Sequence, residues 1–343
     1  MKDDLLREQK AFLAEKLHGK TLMVSGSTGL IGSAVVRYLL DLNDSCGAEI
    51  TVLALYRDER KRKAVWAQNR DDLHFLVYNE SQGVSGDGEI DYAIHAAGIS
   101  GGSRMHLKDP IRVFTVGIEG TRKLLDYAVS HGCKGFCYVS TYEIYGAVNS
   151  DELIREDHEC RLDPMILRNS YAEVKRACES MLTAYSAAYP INVYSGRLTS
   201  TFGTGVAYSD PRFFAEFGRC AAEGRDIVLK STGSTVRNYL DADDAASAFL
   251  YILACGENNN AYNLTNTDNA VSIRDIAEKV IRLSGGGIEL RFEIADDIKA
   301  LGFRKEGCTL VDASKLEALG WKPVYSMDDT ILKMLNSLRL SAL

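Results

Sequence analysis

Short apolar runs alternate with helical segments along most of the chain. Thr21 to Ser25, Ile50 to Tyr56, Leu73 to Tyr78, Tyr92 to Ala96, Gly135 to Ser140 and Ile191 to Gly196 read as buried strands. Between them, Ile31 to Leu40 and Ile118 to Ser130 space their apolar residues as helices packed on a sheet do. Strands alternating with helices require crossover connections, so the expected class is α/β with a doubly wound parallel sheet. Residues 3 to 17 place Leu5, Leu6, Phe12, Leu13 and Leu17 among charges at helical spacing. That pattern predicts an amphipathic N-terminal helix lying on the body, not an export signal. No internal repeat or low-complexity linker interrupts the pattern, and the five prolines mark no hinge peptide. A second domain is therefore expected to be interleaved with the first.

Composition narrows the function classes. The 343 residues suit a nucleotide-binding domain carrying a smaller partner. With 46% hydrophobic residues, 25% charged residues and a net charge of -7, the chain has neither the signature of disorder nor the clustered positive charge of a nucleic-acid binder. The run from Arg57 to Lys63 is the one basic exception. No stretch of about 20 uninterrupted apolar residues predicts a membrane span. The eight cysteines form no CxxC pair and no Cys/His zinc spacing. They read as small buried apolar residues of a reducing cytoplasm, with neither disulfides nor a metal site expected.

The first strand runs directly into Gly26-Ser27-Thr28-Gly29-Leu30-Ile31-Gly32, a G-x-x-G-x-x-G loop that opens a helix. Glycines let the backbone turn tightly and approach a pyrophosphate, and the helix N-terminus presents free N–H groups and the positive end of its dipole. Gly26, Thr28, Gly29, Leu30, Ile31 and Gly32 are the candidate cofactor contacts. An acid about 20 residues further on binds ribose hydroxyls in NAD enzymes, whereas a nearby arginine accommodates the extra phosphate of NADP. Here the second strand ends Leu55-Tyr56-Arg57-Asp58, with the acid displaced past an arginine. NAD is the expected cofactor, Arg57 leaves NADP open, and Arg57 and Asp58 are the residues to test.

Tyr171 and Lys175 stand four apart, so on a helix they share a face. A phenol with an unperturbed pKa near 10 acts as a base near neutrality only if its phenolate is stabilised, and Lys175 can supply the charge. The strand end Ser140-Thr141 precedes the pair in the order a hydride-transfer enzyme needs.

These motifs, with His95-Ala96-Ala97-Gly98, Val139-Ser140-Thr141, Arg237-Asn238-Tyr239-Leu240-Asp241 and Leu319-Gly320-Trp321-Lys322-Pro323, make the chain similar to extended short-chain dehydrogenase/reductases of the NAD-dependent epimerase/dehydratase family. The pattern is nearest to UDP-glucuronate decarboxylases and dTDP-glucose 4,6-dehydratases. The resemblance implies a Rossmann domain at 18–197 plus 236–268, a nucleotide-sugar-binding domain at 198–235 plus 269–343, the helix at 1–17 outside both, and a homodimer. It adds Ala96, Ala97 and Gly98 to the cofactor contacts, together with Tyr171 and Lys175. It makes Thr141, Glu143, Tyr171 and Lys175 catalytic, and Ser140, Thr141, Ser200, Arg212 and Arg237 substrate-binding.

Within the family, 4,6-dehydratases typically read Thr-Asp-Glu where this chain reads Thr141-Tyr142-Glu143, and glucuronate decarboxylases read Thr-Ser-Glu. Tyr142 is a poorer proton donor than a carboxylic acid, which is an objection to dehydration. The segments Gly196 to Gly203, Asp210 to Phe214 and Gly233 to Arg237 also resemble the decarboxylases, and arginine's planar fork suits a phosphate or a carboxylate. Three departures stand out: Ser200 replaces a frequent Asn, Thr204 a frequent Pro, and Gly117 the Asn that usually begins its helix. Decarboxylation is the expected reaction. Dehydration, 4-epimerisation and non-catalytic dinucleotide sensing are the alternatives.

Overall fold

The computed structural model describes residues 2–99, 109–146, 148, 153–294 and 307–341. The strands, in chain order, are β1 (Thr21–Ser25), β2 (Thr51–Tyr56), β3 (Leu73–Asn79), β4 (Gly83–Ser85), β5 (Tyr92–His95), β6 (Gly135–Thr141), β7 (Asn192–Leu198), β8 (Ser200–Phe202), β9 (Ile227–Leu229), β10 (Val236–Asp241), β11 (Asn260–Leu264), β12 (Asn266–Ser272), β13 (Leu290–Phe292) and β14 (Cys308–Thr309). Eight of them form one sheet in the order β11-β7-β6-β5-β1-β2-β3-β4. All its pairs are parallel except β3 with β4. Each of the six strands read from the sequence is present, with ends shifted by at most two residues.

The sheet is buried on both faces because its strands alternate their side chains. Leu22, Val24, Val52 and Ala54 face one core with α1 (Lys2–Leu17), α2 (Leu30–Cys46) and α8 (Ala242–Cys255). Met23, Leu55, Ala93, Phe136 and Tyr138 face the other, with α5 (Gly120–Ser130) and α6 (Ser170–Ala188). The N-terminal helix lies on the body as its apolar spacing predicts, burying Leu13, Ala14 and Leu17 and stacking Phe12 on Tyr251 at 5.1 Å.

From β1 the chain moves outward through β2 and β3; from β5 it moves the other way through β6 and β7. The sheet order therefore switches between β1 and β5, and the crevice at their C-terminal ends is where open α/β sheets bind ligands. β1 ends there in the glycine loop and β5 in His95-Ala96-Ala97.

A second layer covers one end of that crevice. β10 pairs antiparallel with β12 and parallel with β8 and β14, and β9 pairs with β13. Around them, α7 (Phe213–Glu223), α9 (Ile273–Leu283) and α11 (Met327–Ser341) enclose Phe202, Phe214, Tyr239, Ile276, Ile331 and Met334. These strands run two to seven residues and several carry polar side chains, so no apolar run announces them. Three short helices complete the described chain: α3 (Glu59–Val65), α4 (Pro110–Phe114) and α10 (Ser314–Glu317).

Candidate active site and cofactor cradle

The glycine loop is shaped by close backbone approach. Gly26 adopts φ 69°, and a Cβ there would lie 2.7 Å from the Ala97 nitrogen; at Gly32 it would lie 2.2 Å from the Gly26 carbonyl oxygen. No side chain fits either place. Gly29 caps α2, whose first turn Leu30–Gly32 points its N–H groups at the loop. Two contacts that the sequence did not announce hold the loop in place: Ser27 Oγ donates to the Leu55 carbonyl at 2.9 Å, and Trp66 Nε1 donates to the Ser27 carbonyl at 3.0 Å. This cradle fits a dinucleotide's pyrophosphate, because it exposes N–H groups where bulk is excluded.

At the end of β2 the two discriminating residues have partners. Asp58 caps α3, its carboxylate accepting the Arg60 and Lys61 N–H groups at 2.9 and 3.2 Å. Arg57 is exposed and pairs with Glu80 at 3.3 Å. Ala96 and Ala97 are half-buried and Gly98 is exposed at the other side of the crevice.

Beneath Ala97, a buried chain of polar groups ties β1 to the helices. Ala97 N–H donates to Ser25 Oγ at 3.1 Å, Ser25 Oγ meets His95 Nδ1 at 2.8 Å, and His95 Nε2 meets Thr121 Oγ1 at 3.0 Å. Burial, and then the nearby Lys175, push the His95 pKa down to about 3, so the ring is neutral. A neutral ring carries one N–H, so the ring donates in one of these two contacts and accepts in the other.

Thr141, Glu143, Tyr171 and Lys175 come together at the C-terminal end of β6. Thr141 ends the strand, and its hydroxyl accepts the Glu143 N–H at 3.3 Å, starting a single 3-10 turn over Tyr142–Tyr145. The same hydroxyl favours ionisation of the Tyr171 phenol, as do the charges of Arg212 and Arg168; burial and the Glu143 carboxylate act against them and raise the phenol's pKa overall. Lys175 donates to the Val139 carbonyl at 2.6 Å, and its ammonium lies 4.4 Å from the Tyr138 ring centroid and 5.8 Å from that of Tyr171. Burial brings its pKa down to about 8. In this structure, then, the cations that favour the phenolate are arginines, while the buried Lys175 lines a small cavity with Ala97, Gly98, Tyr138 and Tyr171.

Three guanidinium groups converge here. Arg212 is held by Asp210, with Nη2 to Oδ2 at 2.6 Å. Arg237 lies against the Tyr142 hydroxyl and near Glu143. Arg168, which the sequence reading did not single out, donates through Nη2 to Glu143 Oε2 at 2.8 Å. Its Nε and Nη1 are buried and have no acceptor among the described residues. A buried donor left unpaired costs about 1–3 kcal/mol, and more on a charged group.

Ser140 and Ser200 stand differently. Ser140 is buried and donates to Glu179 Oε1 at 2.5 Å, within a half-buried ion pair in which Arg197 Nη2 meets Glu179 Oε2 at 2.8 Å. Ser200 begins β8 beside Tyr239 of β10 and is half-buried. Gly117 lies in a π turn, Thr115–Glu119, between α4 and α5, where a Cβ would come 2.2 Å from Val174 Cγ1. Val174 neighbours Lys175, so the valine fills the room that a side chain at 117 would need. The Gly117 carbonyl accepts the Cys178 thiol at 3.3 Å.

A parallel sheet with this cradle and a Tyr-Lys helix defines a dinucleotide-dependent enzyme of the short-chain dehydrogenase class. The chain belongs to the NAD dependent epimerase/dehydratase family, whose pattern matches residues 22–265. It is 26% identical over 320 residues to the low-salt glycan biosynthesis protein Agl12 of Haloferax volcanii, covering 90% of this chain and 95% of that protein. It is 25% identical over 332 residues to UDP-glucuronic acid decarboxylase 1 of Xenopus tropicalis, covering 96% of this chain and 74% of that one. The fold is shared with UDP-glucuronic acid 4-epimerase of Bacillus cereus in complex with UDP-glucuronic acid and NAD, at a TM-score of 0.77 and 19% identity over 93% of this chain and 99% of the other. The protein is thus an enzyme of the nucleotide-sugar epimerase, dehydratase and decarboxylase group. No helix among the described residues is long and apolar enough to cross a membrane.

Proposed function

We propose that the protein oxidises a nucleotide sugar at carbon 4 and that the reaction which follows is decarboxylation of a nucleotide-linked glucuronate. The observation that carries this reading is the charge balance around Tyr171 and Glu143: two carboxylates, Glu143 and Asp210, stand among the three guanidinium groups of Arg168, Arg212 and Arg237. A pocket with that excess suits an anionic sugar better than a neutral hexose. Tyr142, which lies against Arg237, occupies the place where dehydratases carry an acid, and a phenol is a poorer proton donor to a leaving hydroxide than a carboxylic acid.

Tyr171 takes the proton of the carbon 4 hydroxyl, and the Thr141 hydroxyl steadies the phenolate that takes it. Bound NAD supplies the place to which the carbon 4 hydride goes and from which it returns. The 4-keto uronate is a β-keto acid: the bond between carbons 5 and 6 breaks, carbon dioxide leaves, and the electron pair passes into the enolate of the ketone. A proton from water then adds at carbon 5, and Tyr171 returns its proton as the carbon 4 hydroxyl reforms.

The cradle at Gly26 and Gly32, with Ala96, Ala97 and Gly98 opposite, would hold the pyrophosphate and nicotinamide half. NAD is preferred to NADP because a 2′-phosphate beside Arg57 would also meet the Glu80 carboxylate that already pairs with it. The sugar nucleotide would bind against 198–235 and 269–343; the family resemblance supports a homodimer, and eight cysteines without a paired spacing support a reducing cytoplasm.

Mass spectrometry of the purified protein incubated with UDP-glucuronate, dTDP-glucose and CDP-glucose, with NAD and NADP supplied separately, tests the reading. The expected product is UDP-glucuronate less carbon dioxide. Loss of water from a hexose, or an inverted hydroxyl seen by NMR at unchanged mass, would replace decarboxylation by dehydration or epimerisation.

A further inference from the structure

Arg168 stands on the single turn Leu167–Asn169 that leads into α6, three residues before Tyr171. A guanidinium holds five N–H donors in a rigid fork and cannot shed its charge. Only Nη2 is engaged, by Glu143 Oε2 at 2.8 Å; Nε and Nη1 are buried from solvent and meet no acceptor among the described residues. Glu143 in turn is joined through its N–H to Thr141 Oγ1, which faces the Tyr171 phenol. The unpaired donors therefore belong to a cation one residue removed from the reacting hydroxyl, and its field reaches that phenol.

The other two arginines are placed differently. Arg212 already has a carboxylate of its own in Asp210, and Arg237 comes from β10 in the second layer, against Tyr142. Of the three, only Arg168 combines a position on the helix entry of the catalytic tyrosine with donors that are both desolvated and unpaired.

We propose that Arg168 receives the carboxylate of the sugar and is the residue that selects nucleotide-linked uronates over neutral hexoses. This rests on the decarboxylase reading above. Arg168 then bridges two carboxylates, Glu143 and the substrate's, through different nitrogens of one fork. The carboxylate is held beside Tyr171 before carbon 4 is oxidised. Arg168 acts here as a specificity-determining residue: it sorts substrates by charge, and its loss is felt in which sugar binds.

The test is calorimetric. In the NAD-loaded Tyr171→Phe protein, where turnover is blocked, dissociation constants are measured for UDP-glucuronate against UDP-glucose and for dTDP-glucuronate against dTDP-glucose. The uronate is expected to bind about tenfold or more tightly in at least one pair, the discrimination a charge-assisted contact in a desolvated site supplies. Adding Arg168→Gln should bring that ratio to within about twofold while the affinity for the hexose nucleotide stays put. Arg168→Lys keeps the charge but lacks the fork; it should lower the ratio partway, and it reads the same quantity if the glutamine variant does not fold. A uronate preference that survives both substitutions overturns the role of Arg168 and leaves decarboxylation standing. No preference in either pair before substitution overturns both.

Discussion

The phenol of Tyr171 is pulled in two directions. Burial and the Glu143 carboxylate hold its proton on; the Thr141 hydroxyl and the charges of Arg212 and Arg168 favour taking it off. A base placed this way is made effective by whatever enters the site, since a bound anion or cation shifts the balance directly. Tyr171→Phe removes the proton acceptor and keeps the ring. Turnover should fall by about 10²- to 10⁴-fold, the usual contribution of a positioned acid or base, while NAD affinity changes little. Steady-state rates and a cofactor titration on the same preparation check this, and turnover close to wild type would move the base to another residue. Tyr171 and Lys175 stand out in sequence as candidates because their chemistry suits a pair four residues apart, and Thr141 and Glu143 because of the family resemblance. Arg168 is not: an arginine before a helix is common, and only its buried, unpaired nitrogens single it out.

At the scale of elements, the helix entry at Gly117 and α6 are fitted to each other. The π turn at Thr115–Glu119 brings backbone against Val174, and the space that a side chain at 117 would occupy is the valine's. In sequence, Gly117 is a departure from the family's Asn; in the structure it is one half of a pair. Gly117→Asn should destabilise the protein by about 1–3 kcal/mol through overpacking, with a visible fall in Tm, and Val174→Ala in the same chain should recover most of the loss. Equal melting temperatures for the single variant and the wild type would show that the turn has room the structure does not give it. The ion pair of Arg197 and Glu179, which receives the Ser140 hydroxyl, joins α6 to β6 and β7 at a second point. The helix that carries Tyr171 and Lys175 is thus braced at Val174, within the pair, and at Glu179, one turn beyond it.

For the whole molecule, the junction between the large sheet and the second layer is a cluster of buried acids at the start of α8. Lys333 of α11 meets Asp241 Oδ1 at 2.5 Å and Asp243 Oδ2 at 2.6 Å. Asp244 accepts the Val324 and Tyr325 N–H groups at 2.9 and 3.0 Å. Burial, then the neighbouring Asp241, raise the Asp244 pKa to about 8. Between an unfolded value near 4 and that folded value, the native state holds a proton that the unfolded chain has lost. The contribution of Asp244 to stability is therefore full below pH about 4, declines as pH rises, and is gone above about 8. The destabilisation caused by Asp244→Asn should accordingly be largest near pH 5 and shrink toward pH 8, by at most about 1.4 kcal/mol per pH unit. Urea unfolding of both proteins at pH 5, 6.5 and 8 measures the gap, and a gap that stays constant or widens would contradict a protonated Asp244.

The amino-acid sequence by itself determined the six parallel strands β1 to β3 and β5 to β7, the N-terminal helix, the glycine loop and the Tyr171-Lys175 pair, because each is written in local periodicity or in residue types at short spacing. Apolar runs such as Gly135–Thr141 can be nothing but buried, and the strand-to-glycine-to-helix order from Thr21 to Gly32 has few other uses. What only the tertiary structure decided are relations between distant segments: Arg168 on Glu143, Gly117 under Val174, Arg237 against Tyr142, and the short strands β4 and β8 to β14. The physical reason is the same in each case. A donor's missing partner, a Cβ's missing space or a two-residue strand's pairing is a property of the three-dimensional surroundings, and those surroundings come from parts of the chain that no local pattern connects.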